Sequence, residues 1–416
     1  MTTCPLCTTN LEAHNNYFLN LLKGSKPLVS NVKEFGANFE KINFSEPFDQ
    51  AFESCFISGI YWTLSSLIIL NPHAKLVDII KYDELIDIFN AVIACSQTLG
   101  SYALGFAPFY KNFYYSPTIL HTLHAMQILV ILSEDIGDYV TRWAATHSKM
   151  LINFLKLQIL SNGSVSRTTY EGDIQSNNIQ RNKLSSIKNS ALCGDIRDVA
   201  SLFGTVNLLH KLTGIDYSNE FANILPKTVE WIISCKNDDG GYGLRPGEES
   251  HIGACFCASA ISKIKIIRDF TTDKEIAFCD TVSMCKWLKA RQRTNGGISG
   301  HGDKAPDVCY SYWLLATLAL TSNDGNGNCE INLDKLAKFI NSCASPRGGF
   351  SKYPISQSGN GYFALLFDME NSPDPYHSFK SLVALSFIGR ILSSLCIQHK
   401  LVSINPLTAL IIHSNT

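Results

Sequence analysis

Hydrophobic and polar positions alternate along this chain in two kinds of helix-length segment. In one kind, apolar residues return every three or four positions and polar residues fill the gaps, as in VEWIISCK (229–236), CKWLKARQR (285–293) and LAKFINSCA (336–344). In the other, most positions are apolar or small, as in HIGACFCASAISKI (251–264), CYSYWLLATLAL (309–320) and HSFKSLVALSFIG (377–389). The first pattern predicts a helix with one buried face, the second a helix buried all round. Between them stand NDDGGYG (237–243), TNGGISG (294–300) and SPRGGFS (345–351), turns that call for the positive φ glycine tolerates. Weaker copies come earlier: IACSQTLGSY (93–102) leads to ILHTLHAMQILVIL, and FLKLQILSNGSVS (154–166) leads to IRDVASLFGTVNLLHKL. The unit of amphipathic helix, glycine turn and apolar helix recurs roughly every 50–60 residues.

Such a unit cannot bury its own faces and must stack on its neighbours. About five or six of them extend as a solenoid or close into a ring. The apolar helices carry many aromatics and cysteines, which favours burial on both sides and therefore closure. The expected fold is all-α, an α/α toroid of six hairpins (an α6–α6 barrel), forming a single domain over residues 1–416. Residues 1–13 read as a flexible tail. The polar, aperiodic stretch 167–191 reads as an inserted loop, as do 321–331 and 355–373.

Composition narrows the function classes. The chain has 416 residues, 45% hydrophobic and 17% charged, with a net charge of −1. No basic excess or aromatic-laced basic run points to nucleic acid. The N-terminus lacks a basic segment followed by an apolar core, and the longest apolar run, WTLSSLIIL (62–70), falls short of the ~20 residues of a membrane span. A cytoplasmic protein without a transmembrane segment is expected. The 14 cysteines then read as reduced, buried small residues with one or two doing chemistry. Cys4 and Cys7 form a C-x-x-C without a second pair, and His14 is its nearest further ligand type.

Asp307 and Cys309 open one apolar helix, and His377 opens the next. Closure brings neighbouring helix starts together, and Asp, Cys and His with one open position is the form of a catalytic zinc site. The same residues also read as an N-cap, a core thiol and an incidental first-turn histidine. An Asp-x-Cys alone is a weak motif.

Several separated stretches carry a resemblance. SGIYW (58–62), ESHIG (249–253), PDVCYSYW (306–313), GGFSKYP (348–354) and DPYHS (374–378) together resemble the β subunits of protein prenyltransferases, in order, from about residue 14 to 395. The resemblance implies an α/α-barrel enzyme that moves an isoprenoid from its diphosphate to a protein cysteine. It implies one Zn2+ per β subunit on Asp307, Cys309 and His377, a heterodimer with a helical α subunit, and acceptors that are small GTPases with a C-terminal cysteine motif.

By the same resemblance, His251, Lys304 and Tyr310 face the diphosphate, and Arg197 lines the site. Where the family usually carries Arg, three residues before that Lys, this chain has His301. The readings left open are weaker diphosphate binding, protonation of His301 by the ligand's charge, Arg293 reaching in, and a shifted loop. Lys352 stands where type I geranylgeranyltransferases carry Lys and the farnesyl and Rab-type enzymes carry an Asp linked to Mg2+, so Mg2+ is not expected to be required. Ser58, Leu123 and Ala200 stand at pocket positions that are large aromatics in farnesyl enzymes, which leaves room for geranylgeranyl diphosphate, and Trp313 forms an aromatic wall.

SGIYW and PDVCYS look like type II (Rab) enzymes. GGFSKYP, HNNYFLNLL (14–22), LVILSED (129–135) and TGIDYSN (213–219) look more like type I, and Tyr376 is found in farnesyl enzymes. Type I, acting on Cys-a-a-X tails, is the favoured reading, and type II the alternative. A terpene cyclase would usually need an Asp-rich motif that the chain lacks. A toroid glycosidase would need paired carboxylates across the funnel, and a non-catalytic toroidal binding module would have lost its metal.

Overall fold

A computed structural model of the chain describes residues 10–30, 53–110, 114–168, 194–274, 281–321, 330–355, 371–393, 403–405 and 410–412. Helix α1 spans Leu11–Ser30, α2 Phe56–Leu70, α3 Leu76–Ile79, α4 Tyr82–Ala94, α5 Ile119–Leu157 and α6 Ile196–Thr213. Then follow α7 Ser218–Phe221, α8 Leu225–Ser234, α9 Ile252–Lys263, α10 Lys265–Asp273, α11 Thr281–Lys289, α12 Val308–Thr321, α13 Leu333–Ser342 and α14 Pro375–Ser393. Strands β1 (Ser96–Leu99) and β2 (Ala103–Phe106) form an antiparallel hairpin with Leu99 opposite Ala103, and β3 (Ser403–Asn405) pairs antiparallel with β4 (Leu410–Ile412).

The two patterns read from the sequence become two concentric layers. The apolar helices α2, the first half of α5, α6, α9, α12 and α14 each pack on the next, and α14 packs back on α2, which closes the inner ring. The amphipathic segments α1, α4, the second half of α5, α8, α11 and α13 precede them. Helix α5 serves both layers because it breaks at Ile136, whose φ of −127° and ψ of 42° are not helical. It is long and apolar enough to cross a membrane by length and composition, but 67% of its most apolar stretch is buried in the ring. Helix α13 shows how an outer helix is made. Asn332 caps it by accepting the Lys335 N–H, Leu336, Ala337, Phe339 and Ile340 are buried, and Asp334, Lys335 and Lys338 face out.

The glycine turns lock each unit to the next. In each, a glycine at positive φ lies against the following outer helix: Gly163 on α8, Gly240 on α11, Gly296 on α13. Gly348 completes the series, with φ of 95° and a Cα facing the Ala13 carbonyl and Tyr17 of α1, so the last turn meets the first outer helix. His14 adds to that seam. It is buried, its Nδ1 accepts the Gly349 N–H at 2.9 Å, and its ring stacks on Phe350 at 4.7 Å. Burial pushes the His14 imidazole down to about 4. Its bonding is thus to the ring seam, while Cys4 and Cys7 lie outside the described residues. Of the expected tail, residues 11–13 are already helical. Most of the insertions expected at 167–191, 321–331 and 355–373 also lies outside the described residues.

Apart from the exposed Cys55, the described cysteines behave as small core residues. At the ends of α4, α8 and α13 the thiols of Cys95, Cys235 and Cys343 each donate to the carbonyl four residues back, at 3.4 Å. The eight cysteines among the described residues are free, and burial pushes Cys235 and Cys343 up to about 12.

Candidate active site

The starts of the inner helices gather at one end of the ring because each is tied to the next turn. An N–H at the start of each helix donates to a carbonyl of the following unit: Ile57 to Pro108, Ile119 to Arg167, Ile196 to Leu244, Ile252 to Gly300 and Val308 to Lys352. The residue before each helix is then free to cap it. Thr118, Asp195, His251 and Asp307 each accept a backbone N–H from their own first turn, and Asp374 accepts that of His377. Chemistry-bearing side chains therefore ring one rim.

Asp307, Cys309 and His377 meet there. One ligand atom from each lies within 4.8 Å of the others. Asp307 Oδ1 accepts the Cys309 N–H at 2.9 Å and stands 3.5 Å from His377 Nε2. Ligand atoms around a tetrahedral zinc stand roughly 3.3–3.7 Å apart, given bonds of about 2.0–2.3 Å, so Asp307 and His377 already have that spacing and the three together fit such an ion after drawing in by about 1 Å. The capping and metal-ligand readings of Asp307 coexist, since one carboxylate serves both. His377 Nδ1 is bonded to Asp374 Oδ2 at 2.5 Å, which leaves Nε2 for a metal. Burial lowers the His377 pKa, but Asp307 and Asp374 outweigh it and push the ring up to about 9. Burial and the Asp307 charge hold the Cys309 thiol well above its usual range. Burial would raise the Asp307 carboxyl, yet His377 and Cys309 keep it below the usual carboxylate range.

The residues expected around the diphosphate form a second cluster on the same rim. His251 caps α9, with Nδ1 accepting the Gly253 N–H at 3.0 Å, and burial lowers its pKa to about 4. Its ring centroid lies 5.7 Å from that of Tyr310 and 5.5 Å from that of His301. His301 Nδ1 is 3.0 Å from Glu249 Oε2. The Arg293 Nη2 donates to the carbonyl of Gly302, next to His301 in the loop, at 2.6 Å. Lys304 is exposed on that loop. Lys352 stands beside the first cluster, with Nζ 3.7 Å from Asp307 Oδ2. Arg197 is held two-pronged by Asp195, at 3.0 and 2.6 Å.

One helical turn deeper, the wall is aromatic. Trp313 packs on Phe256 with ring centroids 4.8 Å apart, and Trp62 lies 5.1 Å from Tyr376. Leu123 and Ala200 are half-buried on α5 and α6. Ser58 is not simply vacated space, since its hydroxyl bonds to His124 Nδ1 at 2.8 Å and His124 stacks on Tyr61. Lys380, which the sequence reading passed over, also sits at this depth. It is buried, with Nζ 3.8 Å over Tyr312 and 4.0 Å over Trp313, and no carboxylate lies within ion-pair distance among the described residues. Burial lowers its amine to about 7. A lone Lys in the apolar α14 pattern was the available signal. Asp374 and Glu249, also passed over, lie within the stretches DPYHS and ESHIG.

Residues 32–410 match the prenyltransferase alpha-alpha toroid domain family, which covers most of the chain. The chain belongs to that family. Among relatives, the β subunit of geranylgeranyl transferase type-2 from Saccharomyces cerevisiae is 28% identical over 336 residues, 80% of this chain and 81% of that protein. The type-1 β subunit from Arabidopsis thaliana is 34% identical over 172 residues, 40% of each chain. Among solved structures, the Candida albicans protein geranylgeranyltransferase-I complexed with GGPP superposes with a TM-score of 0.65 at 20% identity, over 97% of this chain and 96% of that one, which bears on the fold. The rim clusters therefore sit in the toroid of the prenyltransferase family.

Proposed function

We propose that this chain is the catalytic β subunit of a zinc-dependent protein geranylgeranyltransferase, transferring the C20 group of geranylgeranyl diphosphate to a cysteine thiol near the C-terminus of a protein acceptor. The observation that carries this reading is the convergence of Asp307, Cys309 and His377 within 4.8 Å, beside a rim of cations and donors. Asp307, Cys309 and His377 would hold the Zn2+, which would supply a Lewis acid that lowers the pKa of an acceptor thiol. The chain's own residues do the rest. Asp374 fixes the tautomer of His377, and the Cys309 N–H fixes the Asp307 carboxylate. His251, Tyr310, His301, Lys304 and Lys352 supply donors and positive charge to the departing diphosphate, and Arg197 lines the rim. Trp313, Leu123 and Ala200, with Ser58 holding His124, shape the isoprenoid wall.

The type I reading, with Cys-a-a-X acceptors and no need for Mg2+, rests on Lys352, whose ammonium lies 3.7 Å from Asp307 Oδ2 and can neutralise a diphosphate without the metal. A type II reading, with Rab-type tails, is favoured by the 81% coverage of the yeast type-2 subunit. In either case the partner is a prenyltransferase α subunit, the acceptors are small GTPases, and the setting is cytoplasmic. The test is co-expression with the cognate α subunit, elemental analysis for zinc, and C20 transfer to a Cys-a-a-Leu peptide with and without Mg2+. One zinc per β chain with Mg2+-independent transfer supports type I. Zinc without peptide transfer, together with transfer to an escorted Rab tail, supports type II. Absence of zinc sinks the zinc-enzyme reading.

A further inference from the structure

We infer that Glu249 and His301 form a proton-coupled anchor for the diphosphate, so that binding the isoprenoid diphosphate takes up a proton on the His301 ring. This rests on the donor reading given under Proposed function. A carboxylate can only accept, so the 3.0 Å contact with Glu249 Oε2 puts a proton on His301 Nδ1. The other nitrogen, Nε2, then carries a lone pair in the neutral ring and becomes a donor only when the ring is charged. A lone pair facing phosphate oxygens repels them, whereas an N–H bonds to them.

The neighbouring histidine works the opposite way. His251 Nδ1 accepts the Gly253 N–H, so its proton sits on Nε2, and burial keeps the ring neutral down to about 4. His251 is thus an unconditional single donor, and His301, 5.5 Å away, is a conditional one. The groups around His301 are Glu249 from the turn before α9, His251 at its cap, and Asp303 and Lys304 on its own loop. Arg293 and Arg291 hold the Gly302 carbonyl, at 2.6 and 3.4 Å. Glu249 is the counter-charge in contact with the ring. A bound diphosphate adds several negative charges on the open side and favours the charged imidazole. Glu249 is therefore a positioning residue: it orients His301 and supports the imidazolium that substitutes for a permanently charged guanidinium.

The experiment is calorimetry on the α–β heterodimer with geranylgeranyl diphosphate and no acceptor, in buffers of different ionisation enthalpy, from pH 6 to 8.5. His301→Arg supplies the reference, so that protonation of the diphosphate itself cancels. The wild type is expected to take up close to one proton more than His301→Arg. Its affinity should fall by up to about tenfold more per pH unit over part of the range. Glu249→Gln should weaken binding about fivefold or more in the wild-type background and have little effect beside His301→Arg, as coupled residues do. Equal proton uptake by wild type and His301→Arg, with tight binding in both, overturns the proposal and leaves the donor reading standing. Absence of binding in every variant overturns the donor reading and the proposal with it.

Discussion

His14 and Gly349 lie 335 positions apart in the chain and share a 2.9 Å hydrogen bond at the seam where the ring closes. Beside them the Gly348 turn lies against Ala13 and Tyr17, and His14 stacks on Phe350. Gly348→Ala combines a positive φ of 95° with a collision against α1 backbone. It should cost roughly 2–4 kcal/mol. Thermal unfolding measures the loss, and hydrogen exchange should locate the first opening at α1 and the 345–351 turn.

The same seam makes stability sensitive to acid. Burial lowers the His14 pKa to about 4, while an unfolded imidazole takes its proton near 6.5. The unfolded chain therefore binds more protons between those values, and stability falls as pH drops through that window, by an amount on the order of 3 kcal/mol. His14→Asn keeps an acceptor but no titration. Denaturant midpoints at pH 7 and pH 4.5 should differ less in this variant than in the wild type.

Asp374 holds the His377 ring from behind. Asp374→Asn leaves Asp307, Cys309 and His377, the proposed zinc ligands, in place, yet zinc affinity should fall about 10–100-fold, as for other partners that orient a ligand. Cys309→Ala and His377→Ala should lose the zinc altogether while the far-UV circular dichroism stays unchanged. Competition with a chromogenic chelator ranks all three. Wild-type affinity in Asp374→Asn would remove Asp374 from this role.

Lys352 stands 3.7 Å from Asp307 Oδ2 with its backbone carbonyl tied to Val308. Lys352→Asp should raise the KM for geranylgeranyl diphosphate at least about tenfold without Mg2+, the loss of a charge-assisted bond of roughly 1.5–3 kcal/mol. Added Mg2+ should recover much of it. A variant indifferent to Mg2+ would take Lys352 out of the diphosphate site.

Lys380 is a buried amine whose pKa burial lowers from 10.5 to about 7. Below pH 7 the amine is charged in both states and the desolvation penalty is fully present. Above pH 7 the folded amine gives up its proton, so the penalty shrinks as pH rises toward 10.5. Lys380→Met should stabilise the protein by roughly 2–4 kcal/mol near pH 6.5, net of the lost cation–π contacts, and by about 2–3 kcal/mol less at pH 9. Unfolding at the two pH values reads the difference.

Much of this protein is written locally. The alternation of amphipathic and apolar segments set the two helix layers, because a helix must bury whatever face is apolar. The paired glycines placed the turns, because few other residues accept a φ near 90°. Asp307, before one inner helix, was legible as a cap, because Asp is a good N-cap; the caps at Asp195, His251 and Asp374 emerged from the structure. Tertiary structure decided what those rim residues touch. Only the packing of neighbouring units brings Asp307 to His377, Glu249 to His301, Ser58 to His124 and Lys380 over Tyr312 and Trp313. Each of these contacts joins one unit of the ring to the next. Their contacts depend on the angle between neighbouring helices, which local pattern does not encode. The same holds for His14. Its sequence neighbours offered Cys4 and Cys7 as company, but the closed ring gives it Gly349 and Phe350.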